Sequence, residues 1–362
     1  MVVLLAGMAG MKRSGWIFSL ATLLPVLLLV LAALLGGLWG WLALMYLSLF
    51  TMVLDWLMPV ATDKSAPARD FPLADRLSVI LAVSHFVLLI VAVWALSGHA
   101  GLSYLDTVVV FLAYGLFFGQ ISNPNAHELI HRTDRRLFDL GKWVYITLLF
   151  GHHTSAHPRI HHRFVASIHD PNSAPLGESF YAFAPRAWFG SFRAGHEIES
   201  QRLKLRHAAH PRLSHPYNSY VLGAIATLFA AWLIGGWRGV LVLVLLAAHA
   251  QMQLLLSDYV QHYGLRRRTV EHGRLEAVAS HHSWNAPQWF SDYLMLAAPR
   301  HSDHHAHPGK PYPELILPSA DEAPSLPYSL PVMALIALSP RRWRRLMDGR
   351  ARAWQDRINA AP

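Results

Sequence analysis

Long runs of apolar residues limit the folds open to this chain of 362 residues. About 20 consecutive apolar residues span the hydrocarbon core of a bilayer as an α-helix, which satisfies its own backbone polar groups there. A scan for such stretches predicts six transmembrane helices, at about residues 16–36, 38–61, 77–96, 102–122, 220–236 and 240–256. With 53% hydrophobic and only 15% charged residues, the composition is also typical of a membrane protein. The sequence therefore predicts an all-α integral membrane protein with six transmembrane helices.

The basic residues are concentrated in segments that would share one face of the membrane. They precede the first span, lie between the second and third, and follow the fourth and sixth, whereas the opposite connections contain almost none except Arg238. Positively charged connections stay in the cytoplasm, so we expect both termini to be cytoplasmic in a bacterial-type inner (plasma) membrane. Contact with anionic lipid explains the net charge of +9. No nucleic-acid-binding motif occurs, and we expect no nucleic acid partner.

The two polar segments, about residues 127–217 and 260–345, follow the fourth and sixth predicted spans. Both would lie on the cytoplasmic face, and we expect one membrane-embedded domain over residues 1–362. Residues 139–217 and 284–305 are each predicted to form a helical segment against that face. MVVLLAGMAG, at residues 1–10, is interpreted as an upstream start rather than a cleaved signal peptide, because the apolar stretch after Arg13 exceeds a usual signal core.

Nine histidines with the spacing of metal ligands fall in these polar segments. HELIH (127–131) and HPRIHH (157–162) each contain two histidines four residues apart, which share a helix face. RHSDHH (300–305) has a spacing that directs three rings the same way, and DYVQHYG contributes one more. Neutral imidazole suits iron, zinc, copper or nickel, and nine rings are too many for one ion. The predicted ligands of a site for two metal ions are His127, His131, His157, His161, His162, His262, His301, His304 and His305.

These motifs resemble those of the membrane alkane 1-monooxygenases, non-haem diiron hydroxylases within the fatty acid desaturase-like superfamily. The resemblance covers roughly residues 16–345 and rests on HELIHR, HPRIHH followed by DPNSAPLGESFYAF, DYVQHYGLRR, HHSWNAP and RHSDHHAHP. The order HYGL, HSWN, RHSDHHAHP is similar to that of the hydroxylases rather than the desaturases. The resemblance implies that the nine histidines bind two Fe ions. The chain departs from the family pattern at Ala156 and Ile160, where an acidic residue and a glycine are usual.

The resemblance also implies an activity: terminal hydroxylation of medium- or long-chain n-alkanes to primary alcohols, using O2 and electrons from rubredoxin and rubredoxin reductase. The chain has no cysteine, which excludes an iron–sulfur cluster, and it lacks a dinucleotide-binding fingerprint. The electrons must therefore come from another protein. The hydrophobic substrate is expected to enter from the lipid bilayer. A hydroxylase of alkyl-aromatic, xylene-like substrates and a fatty-acyl desaturase on the same diiron core remain open. A metal transporter would need ligands along the spans.

Four carboxylates near the histidine motifs are candidates to accept the second N–H of a ligand imidazole. They are Asp170, Glu271, Glu276 and Asp303. Glu128 matches the H-E-x-x-H pattern of zinc proteases, but the additional ligand-type histidines argue against that interpretation. His281 and His282 could touch metal or form hydrogen bonds beside the site. His85 and His249 lie inside predicted spans, where a neutral histidine bonded to a neighbouring helix is expected.

Overall fold

The computed structural model describes residues 13–58, 68–205 and 213–360, apart from the side chains of Arg13 and Glu271. These residues form helices and loops, with two isolated β-bridges and no β-strand among them. MVVLLAGMAG and the predicted end of the second span at residue 61 lie outside the described residues. In chain order the helices are α1 (Arg13–Leu35), α2 (Gly37–Leu57), α3 (Ala74–His99), α4 (Tyr104–Ile130), α5 (Arg135–Thr147), α6 (153–164), α7 (Phe180–Leu205), α8 (Pro216–His262), α9 (Trp289–Leu294), α10 (His301–Ala306), α11 (Leu330–Ala337) and α12 (Pro340–Ala360).

Among the residues that the structure describes, five helices, α1 to α4 and α8, are long and apolar enough to cross a membrane. The 47 residues of α8 would extend about 70 Å as a straight helix, more than twice the hydrocarbon thickness of a bilayer. The backbone of α8 is not helical at Gly235 and Gly236. A Cβ added to Gly239 would lie 2.2 Å from the carbonyl oxygen of Ala231, so the chain folds back on itself there. The described part of the chain thus has five candidate spanning helices rather than six separate ones, and the fifth is a hairpin of two antiparallel arms.

Three turns meet at one end of the long helices. The backbone N–H of Gly37 donates to the Asp106 carboxylate at 2.9 Å, and the ring of His99 bonds the Ile234 carbonyl oxygen at 3.0 Å. From this end, α4 and the second arm of α8 run the length of the bundle and carry His127 and His262 at the opposite end. The helices of this multi-pass membrane protein therefore bring two histidine motifs to one end.

The polar segments pack against that opposite end as further helices. Residues 139–217 contribute α5, α6 and α7. The expectation of one helix over 284–305 is wrong, because α9 and α10 are separate there. The backbone between them passes through left-handed conformations at Leu296 and Ala297, with φ of 50° and 57°, and an α-helix cannot continue through such residues. The turn redirects the chain so that α10 enters the histidine cluster.

A buried ion-pair network links α9 to the connection between α2 and α3. The Asp292 carboxylate contacts the guanidinium of Arg69 and accepts from the Nε of Arg300 at 3.0 Å. The Arg69 guanidinium also lies 4.1 Å from the centre of the Tyr293 ring. Burial alone would raise the pKa of Asp292, but the two guanidinium groups outweigh it and lower that pKa below its ordinary value. The carboxylate is therefore ionised at neutral pH.

Replacing Asp292 with asparagine is expected to destabilise the fold by about 3 kcal/mol, because two partly buried guanidinium groups lose their counter-charge. Since the pKa of Asp292 is lowered in the folded state, its stabilisation is present at neutral pH and is lost only as the pH falls below about 4. Thermal unfolding in detergent at pH 7 and pH 3.5 checks both points. Equal stability of the two proteins at pH 7 would contradict the prediction.

Candidate metal centre

The nine predicted ligands form two adjacent groups at the polar end of the bundle. The potential ligand atoms in each group lie within 4.8 Å of one another. The group of five is His127, His131, His157, His162 and His304. The group of four is His161, His262, His301 and His305. The sequence motifs therefore converge on one place, and they divide between two sites.

The ring nitrogens face one another within each group. In the group of five, the Nε2 of His157 lies 2.6 Å from that of His127 and 2.9 Å from that of His162. In the group of four, the Nε2 of His301 lies 2.9 Å from that of His262 and 3.0 Å from that of His305. Two nitrogens bound at right angles to one ion, each about 2.1 Å from it, are about 3.0 Å apart. The spacing of the rings thus suits neighbouring ligands of a common ion.

Burial lowers the pKa of eight of the nine imidazoles, all except His161, and so keeps them in the neutral form that binds metal. It lowers the pKa of His131 and of His301 to about 3, so both rings are neutral at pH 7. The Nε2 atoms of His131 and His161 are buried and have no hydrogen-bond partner among the described residues. Buried polar atoms without partners are costly. A borderline divalent ion in each group would bind these lone pairs, and the residues present therefore fit two metal ions.

A π-helical turn decides which histidines share a group. Residues His157–His161 form a π-turn within α6, and a π-turn widens the helix so that residues five apart come together. His157 consequently joins His162, whereas the sequence predicted that it pairs with His161. In α10, which is α-helical, His301 and His305 are four residues apart and share a group, while His304 joins the other one. The three rings, which the spacing predicted to point the same way, are therefore divided between the two groups.

Asp170 is the predicted carboxylate that contacts the histidine cluster. One of its oxygens lies 2.8 Å from Nδ1 of His161. Burial alone would lower the pKa of His161, but the Asp170 carboxylate outweighs it and raises that pKa above its ordinary value. Because Nδ1 faces the carboxylate, it holds the proton of the neutral ring, and Nε2 is the nitrogen left to bind in the group of four. A carboxylate in this position fixes the tautomer and the ring orientation.

The other predicted carboxylates have different partners. Asp303 pairs with His307 and Lys310, and Glu276 pairs with His282 and Arg268. The Glu271 side chain is outside the described residues. Glu128 points away from the nine rings; it pairs with Arg132 and accepts from the backbone N–H of Tyr312. These contacts rule out the zinc-protease interpretation of the H-E-x-x-H pattern, in which the glutamate acts beside the metal ion.

His281 and His282 form a separate cluster with Glu276. The Nδ1 of His282 accepts from the backbone N–H of Ala279 at 3.0 Å, and its Nε2 lies 3.0 Å from the Glu276 carboxylate. A neutral imidazole with both nitrogens engaged has no lone pair left for a metal ion. His282 therefore braces the loop after α8, and its cluster is separate from the two groups formed by the nine histidines.

Asp258 is a further buried carboxylate on α8, and it is not among the four predicted carboxylates. Its carboxylate is 6% exposed and accepts from the side-chain amide of Asn172 at 2.7 Å. The spacing in the sequence does indicate this position, because Asp258 lies four residues before His262 on the same helix. Two side chains at that separation share a helix face.

Replacing Asp170 with asparagine is expected to lower metal affinity about 10- to 100-fold, because His161 loses the carboxylate that fixes its tautomer. Metal content after dialysis against a graded series of chelator concentrations measures the effect. Asp303→Asn is the matched control: Asp303 contacts His307 and Lys310 instead of the nine rings, and normal retention is expected. Equal retention by the native protein and the Asp170 variant would refute the assignment.

A largely apolar cavity of about 330 Å³ leads to the histidines. His127, His157 and His301 line one end of it. Leu335 of α11 and Met252 of α8 also line it, and their side chains are 57% and 37% exposed. The cavity therefore extends from the outer surface of the helices to both histidine groups.

Two π-turns in the long helices also line this cavity. Leu47 and Ser48 belong to the π-turn Tyr46–Phe50 of α2, and Gly119 and Gln120 to the π-turn Phe118–Ser122 of α4. Each turn adds a residue to its helix and changes the direction of the side chains that follow. The turns thus open the space between the helices next to the site.

Comparison with known proteins agrees with the site. A sequence profile of the fatty acid desaturase family matches residues 103–335, more than half of the chain. Alkane 1-monooxygenase 1 of Alcanivorax borkumensis is 33% identical over 275 residues, which cover 75% of this chain and 66% of that protein. The chain thus spans slightly less than two thirds of the length of this relative.

Two further relatives extend the comparison. Alkane 1-monooxygenase 2 of Pseudomonas aeruginosa is 31% identical over 264 residues, covering 72% of this chain and 69% of that protein. The hydroxylase component of the xylene/toluene monooxygenase of Pseudomonas putida is 27% identical over 330 residues, covering 89% of this chain and 85% of that protein. The family profile and these relatives together show that the chain belongs to the fatty acid desaturase family, as a relative of its membrane alkane 1-monooxygenases.

Proposed function

We propose that this protein is a non-haem diiron monooxygenase that hydroxylates the terminal carbon of medium- or long-chain n-alkanes. The apolar cavity that ends at His127, His157 and His301 carries the proposal. An apolar passage into a group of metal-ligating imidazoles suits a substrate without polar groups. The similarity to alkane 1-monooxygenases supports the same substrate class.

The nine histidines would hold two Fe ions, five rings on one and four on the other, in the groups described above. When bound, iron supplies the activation of O2 that no amino-acid side chain provides. In the overall reaction one oxygen atom enters a terminal C–H bond and the other leaves as water, with two electrons and two protons consumed. Asp170 keeps His161 in the metal-binding tautomer, and the cavity wall excludes water from the reacting carbon.

The substrate would enter sideways from the bilayer. Leu335 and Met252 border the cavity and are exposed on the outer surface of the helices, where lipid surrounds a membrane protein. A linear chain can slide between the helices until its terminal methyl group meets the histidine groups. The narrow passage positions that end of the chain, and such positioning is a large part of the rate enhancement available to an enzyme.

The proposed setting is a bacterial-type inner membrane, with six crossings if both arms of α8 span the bilayer. The chain would form one domain over residues 1–362, with both termini and the histidine groups in the cytoplasm. Rubredoxin, reduced by rubredoxin reductase, would deliver the electrons there. Arginines exposed on α12, including Arg341, Arg344 and Arg345, give this end a positive surface that would attract an acidic electron carrier.

Product analysis of the reconstituted enzyme tests the proposal. The protein, loaded with iron and supplied with rubredoxin, its reductase, NADH and O2, is incubated with octane, hexadecane, para-xylene or an acyl lipid. Labelled 1-alkanols formed under 18O2 support alkane hydroxylation. A methylbenzyl alcohol as main product favours the alkyl-aromatic alternative, which the xylene/toluene relative motivates. A new double bond without added oxygen favours a desaturase. Either of these last outcomes contradicts the proposal.

A further inference from the structure

A buried carboxylate interrupts the apolar wall of the cavity at its histidine end. Asp258 of α8 is one of the residues that line the cavity. A carboxylate in an apolar site costs free energy unless it has partners, and an n-alkane offers it no hydrogen bond. The proposed hydroxylation of alkanes therefore leaves this residue unexplained, and its role must follow from its contacts with the protein.

Hydrogen bonds connect Asp258 to the loop between α6 and α7. Its Oδ2 accepts from the side-chain amide of Asn172 at 2.7 Å. The backbone N–H of Asn172 donates to Oδ1 of Asp170 at 3.0 Å. The other carboxylate oxygen of Asp170 lies 2.8 Å from Nδ1 of His161. A continuous chain of contacts thus runs from α8 to a predicted metal ligand on α6.

The two ends of this chain meet in the group of four. Asp258 precedes His262 by four residues on α8, so the two side chains share a helix face. The ring centres of His161 and His262 are 4.7 Å apart, and the ring planes are 75° apart. The chain therefore ties His161 of α6 to the turn of α8 that carries His262.

We propose that Asp258 is a positioning residue for the metal ion in the group of four. Through Asn172 and Asp170 it holds the His161 ring beside His262, at the separation that two ligands of one ion require. The inference rests on the proposed function in one respect, the binding of iron by both histidine groups. It makes no use of the substrate or of the hydroxylation step.

The group of five lacks this kind of support. The Nδ1 atoms of His157 and His162 are buried without a hydrogen-bond partner among the described residues. Partners of the second imidazole nitrogen orient a ligand and raise its basicity. A change at Asp258 should therefore weaken one iron site and leave the other as it is.

The loop keeps other attachments to α8 when Asp258 is replaced. The backbone N–H of Gly264, just after α8, donates to the carbonyl oxygen of Ala174 at 2.9 Å. This bond does not involve the Asp258 side chain. We therefore expect variants at position 258 to fold, with the loss of order confined to the contact between Asp170 and His161.

Iron retention tests the inference. The full-length protein, purified in detergent with 57Fe, is dialysed against graded chelator concentrations at pH 8, and the retained iron is measured by mass spectrometry. Asp258→Leu should lose one of its two irons at an about 10-fold lower chelator concentration, because His161 loses its outer support. Asp258→Asn keeps an oxygen that accepts from Asn172, and it should match the native protein within about 2-fold.

Mössbauer spectra of the ferrous protein identify the affected site. Two signals are expected, since one ion has five imidazoles available and the other has four. The signal that weakens in Asp258→Leu should be the one that weakens in Asp170→Asn and persists in His304→Ala. A purely structural role for Asp258 would weaken both signals together and would contradict the inference.

An exchange of the two hydrogen-bond partners provides a rescue. Asn172→Asp places two carboxylates at a contact of 2.7 Å, and their repulsion should lower iron retention as Asp258→Leu does. Adding Asp258→Asn restores one amide donor and one carboxylate acceptor with their positions reversed, and retention should return to near the native level. Asp321→Leu is the matched control, because the Asp321 side chain is 86% exposed; it should retain both irons.

Three results would overturn the inference: native iron retention by Asp258→Leu, equal losses in Asp258→Leu and Asp258→Asn, or failure of the exchanged pair to recover iron. If Asp258→Leu does not insert into the membrane, the Asn172→Asp protein and its rescue decide the question. A native protein that binds fewer than two irons would overturn the proposed diiron centre together with this inference. One that binds two irons without hydroxylating alkanes would contradict the proposed function alone.

Discussion

Replacement of His304 with alanine is expected to abolish hydroxylation, with a loss of at least about 1000-fold. His304 belongs to the group of five, and its Nε2 lies 3.1 Å from that of His162, so its removal opens the coordination of one ion. Iron content should fall from two ions per chain to one or fewer. Inductively coupled plasma mass spectrometry of the purified protein and gas chromatography of the products measure the two effects.

His307→Ala is the matched control for this variant. The His307 side chain is 56% exposed and pairs with Asp303, and it belongs to neither histidine group. The control should retain two ions and full turnover. Membrane insertion of both variants, followed by protease protection, shows that the loss does not come from misfolding. A His304 variant that keeps two ions and native turnover would remove this residue from the site.

Replacement of Ala334 with tryptophan is expected to lower kcat/KM for long alkanes about 10- to 100-fold while iron content stays at two per chain. Ala334 lines the cavity on α11 beside the exposed Leu335. An indole ring there would fill the passage without touching the histidines. Kinetics with hexadecane together with metal analysis measure the effect.

The control for this variant is Val332→Trp, which adds the same ring to α11 at a residue that does not line the cavity. Its kcat/KM should stay near the native value. If Ala334→Trp hydroxylates hexadecane at the native rate, the substrate does not travel past α11. The entry from the lipid would then have to be sought elsewhere on the bundle.

The sequence predicted most of the fold because hydrophobic length is a strong signal. Spans one and three match α1 and α3 closely, and the predicted break between spans five and six lies next to the turn of α8 at Gly235 and Gly236. α4 continues to Ile130, eight residues past the predicted end of span four. The helix boundaries were less accurate. α8 continues to His262, six residues past the predicted end of the sixth span, because its last turns are stabilised by packing against the polar segments.

The candidate site was predicted as a set of residues, but its internal arrangement was not. The spacing selected nine histidines, and the structure brings all nine together. Their division into five and four depends on the π-turn at 157–161. A π-turn is stabilised by tertiary contacts rather than by residue type. Here Ser155 donates to the buried Glu199 at 2.7 Å, and Ala156 packs against Gly195; a lone sequence does not reveal such contacts between α6 and α7.

The carboxylate that contacts the histidines also could not be predicted from the sequence alone. Asp170 comes eight residues after His162 in a loop, and only the fold brings it to His161. Asp303 lies between two predicted ligands, yet the α10 turn directs it outward toward Lys310. Proximity in the sequence therefore misassigned one carboxylate, and the side-chain direction in a helix decided the outcome.

The division of the ligands among distant parts of the chain has a consequence for how the protein is made. Neither histidine group is complete until residues 301–305 have left the ribosome, because α10 supplies rings to both. All five long helices of the described chain, α1 to α4 and α8, are synthesised before that point, when the histidine groups are still incomplete. Metal binding contributes to folding free energy only once its ligands have assembled. Insertion of the two proposed irons would thus be a late step in biogenesis, and ribosome-bound chains truncated before residue 301 should emerge as inserted but metal-free intermediates.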